Sequence, residues 1–155
     1  MGLPEKRGDN IMGMQCSAKT VYHKDVYYTE LGDKDSIRIA IEKAIALAKN
    51  NHNENMEVLI VADDKDTLEY EIGLDQKYDD LKDKLSETTY IQKIPFTWCK
   101  SENIKDSFGG IVIAFYSDWD ALIRSLESHA AGIIFIPGSE YMLDEVKELL
   151  KPIKL

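Results

Sequence analysis

The chain has 155 residues, a formal net charge of −9, 44% hydrophobic residues and 30% charged residues. This composition fits one globular domain and excludes wholesale disorder, and no run of about 18 apolar residues could cross a membrane. The negative charge, with no lysine- or arginine-rich block, makes nucleic acid an unfavourable partner.

The first residues carry charges and glycines but no apolar run of signal-peptide length. We therefore predict a flexible N-terminal arm at residues 1–12, a single α/β domain at 13–155, a cytoplasmic location and no membrane partner. Cys16 and Cys99 match no zinc-binding or redox spacing, so two reduced, buried thiols are favoured over a disulfide.

Sequence patterns in the first half of the domain predict a strand region, then a helix, then a second strand. β-branched and aromatic residues over 16–30 predict one or two strands, which are left open to antiparallel pairing. Isoleucine and alanine at helical spacing after Gly32, between acidic and basic ends, predict an amphipathic helix. The apolar run that starts at Met56 predicts a strand covered on both faces.

The middle of the chain is less regular. Residues 68–74 alternate in a way that fits either a strand or a poor helix, and the choice is left open. Residues 75–88 predict a thin surface helix. Residues 90–99 predict a strand, and Pro95 places it at an edge of the sheet because proline has no amide hydrogen to donate.

The last third gives the strongest indication of the fold. The stretches GGIVIAFYS, DWDALIRSLESHA, GIIFIPG and SEYMLDEVKELLK predict a strand, a helix, a strand and a helix joined by tight turns. This order is typical of right-handed crossovers between parallel strands. We therefore predict a three-layer αβα sandwich of Rossmann-like or flavodoxin-like topology with a mostly parallel sheet.

Polar residues follow three of the predicted strands, where open α/β sheets bind ligands. The candidate residues for this ligand rim are Asp63, Asp64, Ser117, Asp118, Asp120, Gly138 and Ser139. Ser117 and Ser139 are also predicted to cap the helices that follow them. The sequence contains no GxGxxG or GxxxxGK[ST] motif, and carboxylates stand where an anion would meet a helix N-terminus, so phosphate binding by backbone amides is disfavoured.

The same acids support an alternative reading as a Mg²⁺ site formed by Asp63, Asp64 and Asp118. The stretch VLIVADDKDTL resembles the first motif of haloacid-dehalogenase phosphohydrolases, with Asp64, Asp66 and Thr67 in the matching places. It lacks the glycine that precedes the threonine in that motif, and it follows about sixty residues instead of opening the fold. No family is assigned from it.

The segment TVYHKDVYY supplies candidates for an interaction surface, in which a histidine stands beside an aromatic wall. These candidates are Tyr22, His23, Tyr27 and Tyr28. The other histidines, His52 and His129, belong to no catalytic motif, and catalytic residues stay unknown.

These observations favour a small non-enzymatic α/β module that binds a protein partner or a small polar ligand and uses no cofactor. The alternative is a Mg²⁺-dependent phosphohydrolase that uses the acidic rim. Fold alone does not decide between them, because α/β sandwiches host both classes. Homo-oligomer formation is left open.

Overall fold

The computed structural model of the protein describes Tyr22 and residues 24–50 and 56–155. The predicted arm at 1–12, Cys16, His23 and His52 lie outside these residues. The described chain forms a seven-stranded, mostly parallel sheet with helices on both faces, which confirms the predicted α/β class.

The strands and helices alternate along most of the chain. The strands are β1 (Asp25–Tyr28), β2 (Val58–Val61), β3 (Thr89–Ile91), β4 (Ile94–Cys99), β5 (Ile111–Phe115), β6 (Gly132–Ile136) and β7 (Ile153–Lys154). The α-helices are α1 (Ser36–Lys49), α2 (Lys65–Ile72), α3 (Asp79–Asp83), α4 (Trp119–Glu127) and α5 (Glu140–Leu150). Residues 68–74, which the sequence left open, therefore lie mostly in a helix.

The sheet order is β3-β4-β2-β5-β6-β1-β7, and only the β3–β4 pair is antiparallel. The strand predicted at 90–99 is a hairpin, in which β3 forms the edge and Pro95 pairs with Tyr90. The N-terminal strand, left open to antiparallel pairing, instead runs parallel to both β6 and β7 inside the sheet.

The strand order determines where the chain can offer a crevice. The five central strands stand in the order β4-β2-β5-β6-β1. If β2, β4, β5, β6 and β1 are renumbered 1 to 5, this is the flavodoxin-like order 2-1-3-4-5. The connection after β2 leads to β4 on one side, and the connection after β5 leads to β6 on the other side, so the connections diverge between β2 and β5. Because β2, β5 and β6 are parallel, their carboxyl ends lie along the same edge of the sheet.

Each face of the sheet has its own apolar core. On one face, α1, α2 and α3 cover the sheet, and the predicted stripe of α1 is buried there from Ile37 to Ala48. On the other face, α4 and α5 contribute Leu122, Leu126 and Val146. In the described part of the chain, no helix combines the length and apolar character needed to cross a bilayer.

Gly110 lies where the start of β5 passes closest to the chain before β2. A Cβ added at Gly110 would lie 2.0 Å from the carbonyl oxygen of Glu57, which also accepts a hydrogen bond from the Ile111 amide at 2.8 Å. We expect Gly110→Ala to lower the free energy of unfolding by about 3 kcal/mol, because backbone must move.

The matched control is Gly109→Ala, where the added Cβ would meet only the His129 carbonyl oxygen, at 4.0 Å. Chemical denaturation of the two variants measures the difference. Equal stability of both variants would show that the close approach at Gly110 is not a packing constraint.

Candidate functional site

A cleft of about 440 Å³ opens at the carboxyl edge of the sheet, between the β5–α4 loop and the β6–α5 loop. It is lined by Tyr116, Ser117, Asp118, Gly138, Ser139, Tyr141 and Met142. The structure therefore brings together the rim candidates predicted in these two loops, namely Ser117, Asp118, Gly138 and Ser139.

Both helices at the cleft begin with a side-chain cap. The Asp118 carboxylate accepts a hydrogen bond from the Ala121 amide at 3.0 Å, and the Ser139 hydroxyl accepts one from the Met142 amide at 3.2 Å. The predicted cap at Ser139 is confirmed, whereas the cap predicted at Ser117 is wrong by one residue. Asp118 has the extended backbone of an N-cap, so its carboxylate takes that position.

Because Asp118 caps α4, the hydroxyl of Ser117 is not used as the helix cap. Ser117 is only 8% exposed, and its hydroxyl forms no hydrogen bond with any described residue. The buried hydroxyls of Ser125 and Ser128 nearby do form such bonds, donating to the carbonyl oxygens of Ala121 and Ser125 at 2.9 and 2.7 Å. Among the described residues, the buried hydroxyls that lack a partner are those of Thr29 and Thr89, so the Ser117 hydroxyl is accessible from the cleft and can hydrogen-bond with a ligand there.

Tyr116, which lines the cleft beside Ser117, has an unusual backbone conformation. Tyr116 has a φ of 51°, in the left-handed region that non-glycine residues seldom adopt. Its ring stacks on Phe115 with centroids 4.0 Å apart, so both side chains lie on the same side of the chain. Burial, together with the charge of Glu71, raises the pKa of Tyr116, which keeps the phenol neutral and able to donate.

Gly138 accommodates this turn from the opposite loop. A Cβ added at Gly138 would lie 3.1 Å from the Cβ of Tyr116 and 3.3 Å from its Cγ. A side chain at position 138 would therefore need Tyr116 to shift by a few tenths of an ångström, so glycine is favoured here by the close approach of the two loops and not by its own backbone angle.

Sequence reasoning missed the aromatic residues of the cleft. Tyr116 lies inside the stretch GGIVIAFYS, which predicts a strand, because a left-handed turn in a non-glycine residue leaves no mark in the sequence. Tyr141 is 73% exposed, and the only available signal was its position between the cap Ser139 and the buried Met142.

Asp63 and Asp64 are held at the neighbouring loops and do not line the cleft. The Asp63 carboxylate accepts hydrogen bonds from the amide and hydroxyl of Ser101 at 2.9 and 3.0 Å, which ties the β2–α2 loop to the residues after β4. Asp64 caps α2, accepting from the Thr67 hydroxyl at 2.7 Å and from its amide at 3.1 Å, and these bonds lower the pKa of Asp64.

Asp120 is also engaged within the fold: its carboxylate forms an ion pair with Arg124, one turn further along α4, at 2.9 Å. Within the described ranges, no group of three or more histidine, cysteine, aspartate or glutamate residues is placed to hold a metal ion. The alternative Mg²⁺ reading therefore has no preformed ligand set in this part of the chain.

The described thiol and imidazole show no activation for nucleophilic chemistry. Burial, and to a smaller extent the charge of Asp63, raises the pKa of Cys99 to about 11, so its thiol is protonated at neutral pH. His129 is exposed at the end of α4, outside the cleft. Neither residue supplies a nucleophile beside a base.

The predicted aromatic interaction surface is not formed by the tyrosines of β1. Tyr27 and Tyr28 point to opposite faces of the sheet and are buried in the two separate cores. Lys43 and Lys147 lie over their rings, with the ammonium nitrogens 4.7 and 5.3 Å from the ring centroids. Tyr22 packs against the same core as Tyr28.

Comparison with known proteins gives no match. No protein family, curated protein or solved structure is detectably similar to the chain. The geometry of the cleft therefore supplies the grounds for a functional proposal.

The two serines of the cleft should differ in their contribution to stability. We expect Ser139→Ala to lower the free energy of unfolding by about 1 kcal/mol, the usual loss for an N-cap. Ser117→Ala should change it by less than about 0.5 kcal/mol, because its hydroxyl has no partner to lose. Urea denaturation measures both, and a larger loss at Ser117 would mean that its hydroxyl is bonded within the fold.

Proposed function

We propose that the chain is a non-enzymatic module that binds a small polar ligand in the cleft between the β5–α4 and β6–α5 loops. The observation that carries this proposal is the cleft wall at Ser117: the residue is only 8% exposed, and its hydroxyl has no hydrogen-bond partner among the described residues and is accessible from the cleft. A protein partner, a homo-oligomeric state and a cytoplasmic location stay predictions from the sequence.

The position and rigidity of the cleft support this function. It lies outside the carboxyl ends of the parallel strands β5 and β6, the edge at which α/β proteins bind ligands, although one strand away from the point between β2 and β5 where the connections diverge. Its walls start at β5 and β6, which pair over their full length from Ile111 with Gly132 to Phe115 with Ile136. A cleft built on two paired strands keeps its shape before a ligand arrives, which reduces the entropic cost of binding.

The chemical groups of the cleft suit binding better than catalysis. Among the described residues that line it, the ionisable groups are Asp118 and the phenols of Tyr116 and Tyr141. Acid–base catalysis needs a group whose pKa lies near the operating pH, usually with a second group beside it. A single exposed carboxylate that already caps a helix does not provide such a pair.

A fragment screen monitored by ¹⁵N NMR tests the proposal. We expect some polar fragments to shift the amide signals of residues 116–118 and 138–142, and Gly138→Ala to weaken these shifts by pushing Tyr116 into the cleft. Gly109→Ala is the control, because Gly109 lies outside the cleft. Fragments that bind only elsewhere, or no binding in a diverse screen, would refute the proposal.

Titration with Mg²⁺ and Mn²⁺ tests the phosphohydrolase alternative. We expect neither ion to raise the melting temperature of the protein, since ligands that bind the folded state stabilise it and no preformed metal ligand set is present in the described residues. Asp118→Asn is the informative variant, because asparagine also caps a helix but is a weaker metal ligand. A rise in melting temperature that this variant loses would favour the enzyme.

A further inference from the structure

Negative side chains and the partial positive charge of two helix N-termini lie together around the cleft. The described lining contains no lysine, arginine or histidine, and the exposed carboxylate of Asp118 stands at its rim. Glu140 and Asp120 lie in the first turns of α5 and α4. The N-termini of the same two helices carry partial positive charge, which these carboxylates offset.

This balance disfavours charged ligands of either sign. An anion would meet the exposed carboxylate of Asp118 and a protein of net charge −9, with no basic side chain from the described lining to pair with it. A cation would meet the positive ends of two helices. A neutral ligand incurs neither cost, which selects it on electrostatic grounds.

The cleft offers hydrogen-bond donors and acceptors close together. The donors that the described lining supplies are the Ser117 hydroxyl and the first-turn amide of Tyr141, neither of which has a partner among the described residues. The acceptors include the Oδ2 atom of Asp118, because Oδ1 accepts from the Ala121 amide. A ligand hydroxyl, which both donates and accepts, matches this mixture.

Two aromatic rings border these polar groups. Tyr116 is 45% exposed and Tyr141 is 73% exposed, and both line the cleft. Exposed rings with little conformational freedom contribute contact area to the apolar face of a ligand at low entropic cost. The ligand therefore carries hydroxyl groups at its edge and an apolar C–H face.

From this combination we infer that the cleft binds a neutral polyhydroxylated ring, of the pyranose or furanose sugar class. The inference rests on the proposed function, because it assigns a ligand class to the same cleft. The ring could be a free sugar or the ribose of a nucleoside, and both present the same hydroxyl chemistry.

Ligand-observed and ¹⁵N NMR titrations distinguish these sources. The neutral probes are glucose, galactose, ribose and adenosine, and their phosphorylated counterparts are glucose 6-phosphate, galactose 6-phosphate, ribose 5-phosphate and adenosine monophosphate. Glycine is a further probe, a zwitterion that carries one positive and one negative charge. We expect at least one neutral probe to shift the signals of residues 116–118 and 138–142, and its phosphorylated counterpart to bind at least about tenfold more weakly.

Ser117→Ala should weaken the best neutral probe by about tenfold, the loss of one buried hydrogen bond. Ser125→Ala is the matched control, since Ser125 is also buried but its hydroxyl donates to the carbonyl oxygen of Ala121 within α4 and lies outside the cleft. We expect Ser125→Ala to bind the probe as the wild type does. Equal binding by Ser117→Ala and the wild type would contradict the inference.

The outcomes separate the two proposals. Tighter binding of a phosphorylated probe or of glycine than of any neutral probe would overturn the sugar assignment and leave the cleft as a ligand site. Binding of other screen fragments at the cleft without any neutral sugar or nucleoside would do the same. The absence of any ligand at the cleft would overturn both proposals.

Discussion

The parallel pairing of β5 with β6 is the constraint on which the cleft depends. The register continues past the strands, because the Tyr116 amide donates to the carbonyl oxygen of Ile136 at 2.9 Å. This last bond sets the two loops side by side, so that Gly138 contacts Tyr116 and both helices start at the same edge. Without that register, the two helix N-termini capped by Asp118 and Ser139 would not lie side by side, and no cleft would form between them.

Much of the fold could be predicted from the sequence because local patterns and tertiary structure agree in most elements. The continuous apolar runs of β5 and β6 are buried on both faces, and the helical stripe of α1 packs on the sheet. The position of β1 could not be predicted, since pairing with β6 depends on contacts more than a hundred residues apart. The tyrosines of β1 consequently read as surface residues although they lie in the cores.

The candidate site could be predicted only in part. The sequence shows which residue types follow each strand, but it does not show which of them caps the next helix and which lines the cleft. Ser117 and Asp118 are both good capping residues, and only the backbone conformation decides which of them caps α4. That conformation depends on the left-handed turn at Tyr116, which is stabilised by stacking on Phe115 and by the space at Gly138. The stacking is local, but the space at Gly138 comes from a loop more than twenty residues away, and no sequence pattern records it.

The carboxylates explain why an acidic rim and a binding cleft are separate features here. Asp63, Asp64 and Asp120 are used by Ser101, by the first turn of α2 and by Arg124, so each stabilises a loop or a helix end. Asp118 does the same for α4 and, by doing so, releases the neighbouring serine. A residue that gains no stability from its polar group is under no structural demand to be polar. The Ser117 hydroxyl is therefore free to bond with a molecule in the cleft, whereas the carboxylates of Asp63, Asp64 and Asp120 already have partners within the fold.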